Sequence, residues 1–350
     1  MSEIVFAIPG DIDLPTGGYA YDRRLLAEWR AAGIPARHLA LPRSFPNPTP
    51  DDLAETGRLI VSQPFDSVLL IDGLAYGAFP ESIAAGLAGR VVALVHHPLG
   101  LETGLTPNQA DSLIAREIAA LRYAREIVVT SPTTKRLLVA DFAVDENRIA
   151  VAVPGVDAAA RAAGGPTAGP LDLLAVGSLI PRKAYDVLVE ALETLKHRDW
   201  RLTIIGATDR APGTARALEA QIAAAGLSDR IALTGAADTP TLARAYDGAG
   251  LFVMPSLYEG YGMVLTEALA RGLPILCTTG GAAAETVPDA AAVKVPPGDA
   301  AALAKALTAL IDDKDRRAGM ADAAWAAAAT LPRWRETAAI VAEICRKVRL

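Results

Sequence analysis

The sequence has few of the residues that build disulfide or metal proteins: it contains two cysteines and four histidines in 350 residues. Cys277 and Cys345 cannot form a disulfide framework, which favours a reducing compartment. No uninterrupted apolar run approaches the roughly 18 residues that would span a bilayer, although 51% of the chain is hydrophobic. The opening residues, MSEIVFAIPGD, are expected to form a first strand rather than a secretory signal. These features predict a cytoplasmic protein.

The chain has fewer basic than acidic residues: it contains 34 Lys and Arg residues and 40 Asp and Glu residues, which gives a net charge of −6. A nucleic acid partner requires a basic face, so nucleic acid is not expected to be a ligand. One local group of arginines lies near the start of the chain: Arg23, Arg24, Arg30, Arg37 and Arg43. We interpret them as a solvated helix face and its neighbour. A weak peripheral contact with a membrane is the alternative, which the net charge does not favour.

Short β-branched runs alternate with helix-length stretches along the whole chain. Six strands are predicted in the first half, in the segments IVFAI, RHLAL, SVLLID, VVALVHH, EIVVTS and IAVAVPG. Six more are predicted in the second half, in LDLLAVGSL, RLTIIG, RIALTG, LFVMPS, PILCTT and AAVKV. Continuous apolar runs joined through helices predict parallel strands covered on both faces, and twelve strands are too many for one open sheet of this length. The predicted fold class is α/β, with two doubly wound, Rossmann-like domains facing each other across a cleft.

The boundary between the two domains is predicted from composition. Residues 157–170 are rich in Gly, Pro and Ala and have no hydrophobic period, which is typical of a linker. The N-terminal domain then covers 1–156 and the C-terminal domain 171–332, while 333–350 is predicted to be a helix that crosses back to the N-terminal domain. In the first half, helices are predicted around 19–32, 50–62, 79–87, 108–123 and 132–140.

The segment VMPSLYEGYGMVLTEALARGLPILCTTGGAAAE, at 253–285, carries the most specific pattern. After a buried strand, Gly260 and Gly262 permit a sharp turn, and a helix is predicted to begin near Met263. The free amides from Gly260 to Val264 would form the positive start of that helix. We predict that they receive a phosphate.

Two carboxylates flank this turn. Glu267 lies about one turn inside the helix, where its two oxygens suit the neighbouring hydroxyls of a ribose, and Glu259 could accept hydrogen bonds from a second sugar. Such carboxylates would repel a diphosphate unless cations intervene. Arg182 and Lys183 follow the first strand of the second domain, and the ends of strands one and four converge in a doubly wound sheet. We therefore predict that this cationic pair binds the diphosphate and stabilises its charge as it leaves.

A pair of histidines ends the strand VVALVHH. His96 and His97 lie at the carboxyl edge of the predicted first sheet, which is the edge that binds ligands. Metal ligation is not expected, because only His38 and His197 accompany them and no cysteine or carboxylate lies nearby at ligand spacing.

The 253–285 segment, together with TGGY, GSLIPRK and PPGDAAALAKAL, resembles the retaining, nucleotide-sugar-dependent glycosyltransferases of family 4, which have the GT-B architecture. The resemblance covers nearly the whole chain. It implies a retaining hexosyltransferase that moves a sugar from a nucleotide-diphosphate sugar to an acceptor hydroxyl, without a cofactor or a metal. The alternatives are a sugar phosphorylase or nucleotide-sugar epimerase of the same architecture, or a non-catalytic nucleotide-sugar-binding protein.

The resemblance also implies roles for individual residues. The N-terminal domain would bind the acceptor, which is a small molecule, a glycan or a lipid, and the C-terminal domain would bind the donor. The implied catalytic residues are His96, Arg182, Lys183 and Glu259. The implied donor-binding residues are Gly17, Gly18, His97, Arg182, Lys183, Ala236, Glu259, Gly260, Tyr261, Gly262, Met263, Val264 and Glu267. Among them, Gly17 and Gly18 would lie against the donor diphosphate or an acceptor phosphate, and Ala236 would offer backbone to the base.

Three positions depart from the family pattern. Ala184 stands where the family usually has glycine, and Ala284 replaces a proline before Glu285. Many members have aspartate after the histidine, where this chain has His97 if His96 is the matching residue. Either histidine remains a candidate for the cleft position.

Overall fold

The computed structural model describes residues 3–165 and 169–348. The chain divides into two compact units. The first consists of Met1–Gly155 together with Pro332–Leu350, and the second is Val156–Leu331.

The predicted linker, 157–170, includes residues 166–168, which lie outside the described residues. The part that precedes them is hydrogen-bonded to the second unit. The amide of Ala162 donates to the carbonyl of Arg271 at 2.9 Å, and the amide of Gly164 donates to the carbonyl of Asp247 at 3.1 Å.

The first unit is built on a six-stranded parallel sheet in the order β2-β1-β3-β4-β5-β6. Its strands are β1 (Ile4–Pro9), β2 (Ala36–Leu41), β3 (Val68–Asp72), β4 (Val91–Val95), β5 (Glu126–Val129) and β6 (Ile149–Val151). Every residue of β1, β3 and β4 is buried, as expected for a parallel sheet covered on both faces. All six predicted strands are confirmed.

Helices cover this sheet, and several begin at a Ser or Thr cap followed by proline. Thr49, Thr106 and Ser131 each accept a hydrogen bond from a first-turn amide, and the proline that follows each suits the first helical position. The helices are α1 (Gly17–Ala31), α2 (Pro50–Val61), α3 (Gly73–Tyr76), α4 (Glu81–Gly86), α5 (Pro107–Leu121) and α6 (Pro132–Asp141). The helix predicted at 79–87 is shorter, because it begins only after Pro80.

The second unit repeats this architecture with a sheet in the order β12-β11-β10-β7-β8-β9. Its strands are β7 (Leu171–Val176), β8 (Trp200–Ile205), β9 (Ile231–Leu233), β10 (Leu251–Met254), β11 (Ile275–Thr278) and β12 (Ala292–Val295). All neighbouring pairs are parallel, and these six predicted strands are confirmed as well.

The helices of the second unit are α7 (Tyr185–Glu193), α8 (Pro212–Ala224), α9 (Thr239–Gly248), α10 (Met263–Leu269), α11 (Ala283–Thr286), α12 (Ala300–Asp312) and α13 (Lys314–Ala328). The helix predicted near Met263 begins at that residue, after Gly262 in the left-handed region at φ 90°. Glycine adopts this conformation without the Cβ clash that other residues meet.

The last helix, α14 (Trp334–Lys347), is part of the first unit. The indole Nε1 of Trp29 donates to the carbonyl of Ala338 at 2.8 Å, and the hydroxyl of Thr337 donates to the carbonyl of Val153 at 2.8 Å. Both bonds tie α14 to residues from the beginning and the end of the N-terminal segment.

Membrane-spanning helices were sought among the described residues. None of the helices there combines the length and the apolar character needed to cross a bilayer.

Candidate functional site

The first candidate site lies where the second sheet changes direction. From β7 the chain builds β8 and β9 on one side, and then returns to place β10 on the other side of β7. Open α/β sheets bind ligands at the carboxyl ends of strands at such a switch point. The loop after β7 carries Arg182 and Lys183, and the loop after β10 carries Glu259.

These two loops are hydrogen-bonded to each other. The amide of Leu257 donates to the carbonyl of Arg182 at 2.8 Å, and the Nη1 of Arg182 donates to the carbonyl of Tyr258 at 2.7 Å. The switch point therefore has a defined geometry, because one loop holds the other through its backbone.

Glu259 forms an ion pair with both cations. Its Oε1 lies 2.6 Å from the Nζ of Lys183, and its Oε2 lies 3.4 Å from the Nη1 of Arg182. The three side chains are 8%, 12% and 18% exposed, respectively. Burial alone would raise the pKa of Glu259, but the charges of Lys183 and Arg182 outweigh it and hold this pKa at about 2. Glu259 is thus ionised at neutral pH.

The cations project from a tight turn that ends in a strained residue. Pro181–Lys183 forms a single 3-10 turn, and Ala184 follows in the left-handed region at φ 48°. A residue with a side chain adopts this conformation at a cost of roughly 1–2 kcal/mol, whereas glycine adopts it freely. The left-handed backbone at Ala184 is therefore consistent with the glycine that the family resemblance implies at this position.

Two glycines after β11 hold the backbone of Glu259. The amide of Glu259 donates to the carbonyl of Gly280 at 3.2 Å, and the amide of Ala282 donates to the carbonyl of Glu259 at 2.8 Å. A Cβ at Gly280 would overlap the carbonyl oxygen of Leu257, and Gly281 has φ 64°. The sequence pattern predicted no role for these glycines, although the GG pair was a visible signal.

Glu267 lies on α10 and is held by a buried tyrosine. The hydroxyl of Tyr246 donates to the Oε2 of Glu267 at 2.9 Å, and the guanidinium of Arg271 lies 4.5 Å from the Tyr246 ring centroid. Burial raises the pKa of Glu267, and the hydrogen bond from Tyr246 and the charge of Arg271 only partly offset this effect. Tyr246 was missed by the sequence analysis.

The remaining donor-side residues lie on the same edge of the sheet. Gly260, Tyr261 and Gly262 form the loop before α10, and Met263 and Val264 are its first two residues. No side chain caps this helix start. Ala236 is exposed in the loop after β9. Their roles toward a donor remain predictions.

The second candidate site lies in the first unit, at the carboxyl end of β4. The Nε2 of His96 lies 3.2 Å from the Oδ1 of Asp22 and 3.5 Å from the Oδ2 of Asp72. Asp22 projects from α1, and Asp72 is the last residue of β3. Both carboxylates are buried, whereas the imidazole is 22% exposed.

Asp22 and Asp72 show that carboxylates do lie beside His96, contrary to the expectation from sequence spacing. Metal ligation was set aside because no carboxylate lay near the histidines in sequence, but the fold brings Asp22 and Asp72 to His96. Their closest atoms lie within 4.8 Å of one another, a spacing that could hold a cation. The 3.2 Å separation of Asp22 from His96 is also that of a hydrogen bond.

The predicted glycine loop lies beside this cluster. Gly17 and Gly18 are the first two residues of α1, which is capped by the hydroxyl of Thr16. A Cβ at Gly18 would lie 3.4 Å from the Cδ2 of His96. The start of α1 therefore lies in contact with the histidine ring. His97 is partly buried next to His96, and its predicted role stays untested.

A buried acid supports the loop that follows the histidines. The amide of Leu99 donates to the Oε2 of Glu117 at 2.9 Å, and Glu117 is completely buried on α5. Burial raises the pKa of Glu117 to about 8, and the bond from Leu99 offsets this only in part. Glu117 is therefore protonated in the folded protein at neutral pH.

We expect Glu117→Gln to flatten the dependence of the free energy of unfolding on pH. A raised folded-state pKa means that the stability Glu117 contributes is complete below its unfolded value near 4.5 and is lost as the pH rises through about 8. Denaturant unfolding at pH 5.5 and 8.5 should show a smaller loss in the variant, by up to about 3 kcal/mol. Exposed Glu55→Gln is the matched control, and an equal loss in wild type and Glu117→Gln would reject the assignment.

The comparisons with known proteins define the class. Residues 157–326, which make up nearly all of the second unit, match the model of the family described as Glycosyl transferases group 1. The two parallel α/β sheets are those of the GT-B glycosyltransferase fold, so the predicted fold class is confirmed. The family model is consistent with the predicted glycosyltransferase family.

Curated relatives are similar over part of their length. The chain is 33% identical over 241 residues to the D-inositol 3-phosphate glycosyltransferase of Arthrobacter sp. (strain FB24), an alignment covering 65% of this chain and 56% of the relative. It is 29% identical over 304 residues to a GDP-mannose-dependent monoacylated alpha-(1-6)-phosphatidylinositol monomannoside mannosyltransferase of Corynebacterium glutamicum, covering 80% of this chain and 76% of the relative. The chain spans little more than half the length of the first of these and of similar inositol 3-phosphate glycosyltransferases.

Solved structures share the fold at low identity. The sucrose-phosphate synthase of Thermosynechococcus elongatus superposes with a TM-score of 0.83 at 20% identity, covering 99% of both chains. The Anabaena protein HepE, solved in complex with UDP and glucose, superposes with a TM-score of 0.76 at 17% identity, covering 99% of this chain and 100% of that one.

Proposed function

We propose that the protein is a glycosyltransferase that moves a sugar from a nucleotide-diphosphate sugar to an acceptor hydroxyl with retention of anomeric configuration. The observation that carries this proposal is the cluster of Arg182, Lys183 and Glu259 at the switch point of the second sheet. The match of residues 157–326 to the model of the glycosyl transferases group 1 family supports the same reaction class.

In this proposal the donor diphosphate binds to Arg182 and Lys183. In the structure these cations are paired with Glu259, so a bound diphosphate would compete for their hydrogen bonds. Each carboxylate oxygen has two lone pairs, so Glu259 can then accept hydrogen bonds from the hydroxyls of the transferred sugar. Glu267, whose Oε2 accepts a hydrogen bond from Tyr246, would bind the hydroxyls of the ribose. The uncapped start of α10 lies on the same edge of the sheet.

The proposed reaction needs no metal, because the two cations supply the positive charge. As the bond from the anomeric carbon to the diphosphate oxygen breaks, its electron pair moves onto the diphosphate, where Lys183 and Arg182 stabilise it. The acceptor oxygen attacks from the same face, forms the new bond to the anomeric carbon and passes its proton to the departing diphosphate. The configuration of that carbon is thereby retained.

Donor binding is the first test of the proposed function. In a thermal-shift panel of UDP, GDP and ADP with their sugars, at least one nucleotide should raise the melting temperature, because a ligand at about 100 times its Kd adds about 2.7 kcal/mol to stability. The panel starts with UDP and GDP because these nucleotides accompany HepE and the mannosyltransferase relative. No shift with any of these ligands would contradict the proposal.

Turnover and its stereochemistry are the second test. Inositol phosphates and phosphatidylinositol glycosides are the first acceptors to try, since the names of two relatives contain them. Proton NMR of the product should show the anomeric configuration of the donor, and excess EDTA should leave the rate unchanged. An inverted product would exclude the proposed front-face reaction, and loss of activity in EDTA would exclude its metal independence.

Glu267→Gln should weaken nucleotide binding by about tenfold, because the variant loses the charge that strengthens its hydrogen bonds to the ribose. The choice between donor sugars should change little, since Glu259 would contact that part of the donor. Calorimetric titration with the nucleoside diphosphate measures the effect, and exposed Glu193→Gln is the control. Equal affinity in wild type and Glu267→Gln would reject the ribose assignment.

A further inference from the structure

The cluster of Asp22, Asp72 and His96 in the first unit has a charge imbalance. Two buried carboxylates approach one ring nitrogen of a single histidine. Asp22 is 0% exposed and Asp72 is 1% exposed, so water does little to compensate their charges. Burying two such groups beside one imidazole is unfavourable unless the ring is positively charged and at least one further proton is bound.

Hydrogen bonds show which oxygen of each carboxylate lies toward His96. The Oδ1 of Asp72 accepts from the amide of Leu74 at 2.8 Å, which leaves Oδ2 toward the histidine. The Oδ1 of Asp22 is at hydrogen-bond distance from the Nε2 of His96, whereas its Oδ2 is buried without a hydrogen-bond partner. A carboxylate is only an acceptor, so the Nε2 that it meets must carry a proton.

We propose that Asp22 and Asp72 are positioning residues that keep His96 as a doubly protonated imidazolium. The histidine would then act at the carboxyl edge of β4 as a fixed cation and hydrogen-bond donor, and not as a general base. The role of His96 as a cation rests on the proposed glycosyl transfer, because a cation would bind a phosphate or a sugar hydroxyl of the substrates. The protonation state itself can be measured without any substrate.

The electrostatics of the surrounding groups support this protonation state. Burial alone would lower the pKa of His96, but the charge and hydrogen bond of Asp22 and the charge of Asp72 raise it above the ordinary value. Burial, and then the charge of Asp22, raises the pKa of Asp72 to about 7. Burial also raises the pKa of Asp22, and the charge and hydrogen bond of His96 oppose this effect. In the proposed state Asp22 pairs with the imidazolium, and a proton on Asp72 balances the buried charge.

Other titratable groups around the cluster come from α1 and β2. On α1, the Tyr21 ring lies edge-on with its centroid 5.1 Å from that of His96, and burial raises the pKa of Tyr21 well above its ordinary value, so it stays neutral. Arg23 on the same helix acts on Asp22 through its charge, and His38 on β2 would do so only when it is protonated. Burial lowers the pKa of His38, so this second imidazole is neutral when His96 is charged.

The test is imidazole nitrogen NMR on the full-length protein. The chain has only four histidines, so the resonances of His96 are assigned by their absence in His96→Gln. At pH 7.5 both ring nitrogens of His96 should be protonated in the wild type. Asp22→Asn should lower the midpoint of its titration by about one pH unit or more, because the paired charge is removed. Exposed Asp111→Asn should leave this midpoint unchanged.

Several outcomes would overturn the proposal. One is a His96 that is neutral in the wild type at pH 7.5, and another is an unchanged midpoint in Asp22→Asn. If that variant does not fold, the protonation state of His96 in the wild type at pH 7.5 decides the proposal. Addition of Zn²⁺ or Mn²⁺ to chelator-treated protein is a further arm. A near-stoichiometric effect on the His96 resonances would make the cluster a metal site and contradict the proposal.

The Asp22→Asn variant distinguishes a failure of this proposal from a failure of the proposed glycosyl transfer. If transfer is observed, the alkaline limb of kcat/KM against pH should move to lower pH in Asp22→Asn, whereas a merely structural role would lower activity equally at every pH. If no transfer is observed with any donor, the NMR result still decides the state of His96.

Discussion

Lys183→Ala is expected to lower the turnover number by about 100-fold or more. The Nζ of Lys183 lies 2.6 Å from Glu259, at the point where the diphosphate is proposed to leave, and loss of one donor at such a position costs about 10²–10³ in rate. The stem of Lys183 lies against Gly177, where a Cβ would come within 2.8 Å of the Cε. Lys183 is therefore held in place, so the ammonium is ready before the donor arrives.

The control for this prediction is Lys196→Ala, which removes an exposed lysine paired with Glu193 on the same unit. Steady-state rates with a saturating donor should be near wild type in the control. A turnover number within a few-fold of wild type in Lys183→Ala, with the variant folded by circular dichroism, would mean that the lysine does not stabilise the leaving diphosphate.

Glu259→Gln is expected to lower stability and turnover but to increase the stabilisation by a nucleoside diphosphate. Removing the carboxylate leaves Lys183 and Arg182 only partly exposed and without their shared counter-ion, which should lower the free energy of unfolding by about 2–4 kcal/mol after allowing for their remaining exposure. A nucleoside diphosphate supplies the missing negative charge. The variant should therefore gain more stability from a nucleoside diphosphate than the wild type does, while turnover falls at least tenfold because a sugar contact is lost.

Thermal melting without and with a nucleoside diphosphate measures the effects of Glu259→Gln on stability and nucleotide binding, and steady-state rates measure its effect on turnover. Exposed Glu193→Gln, which also loses a lysine partner, is the matched control. A smaller shift with the nucleoside diphosphate in Glu259→Gln than in wild type would show that Glu259 does not compete with the ligand for the two cations.

The strands of both sheets could be predicted because parallel strands are buried on both faces. Their apolar runs, such as VVALV in β4, are short, continuous and bounded by polar residues. Helix boundaries were less predictable, because they depend on individual caps. Thr16 starts α1 two residues earlier than expected, and Pro80 delays the start of α4.

The meeting of Arg182, Lys183 and Glu259 could be predicted because it depends only on the order of strands in a doubly wound sheet. Strands one and four of the second unit are neighbours in that topology, and the observed pairing of β7 with β10 confirms the expectation.

The surroundings of His96 could not be predicted from local patterns. Asp22 and Asp72 come from other elements, and their approach depends on how α1 packs beside the ends of β3 and β4. Tyr246 reaches Glu267 in the same way, across a separation of 21 residues. Such contacts between distant segments follow from packing, which hydrophobic periodicity does not specify.

The most direct measurement is a crystal structure of the protein with a nucleoside diphosphate. The phosphate oxygens should lie within about 3 Å of the nitrogens of Arg182 and Lys183, the usual length of a charge-assisted hydrogen bond, with the ribose on Glu267. A nucleotide bound elsewhere, with Glu259 still paired to both cations, would contradict the proposed function.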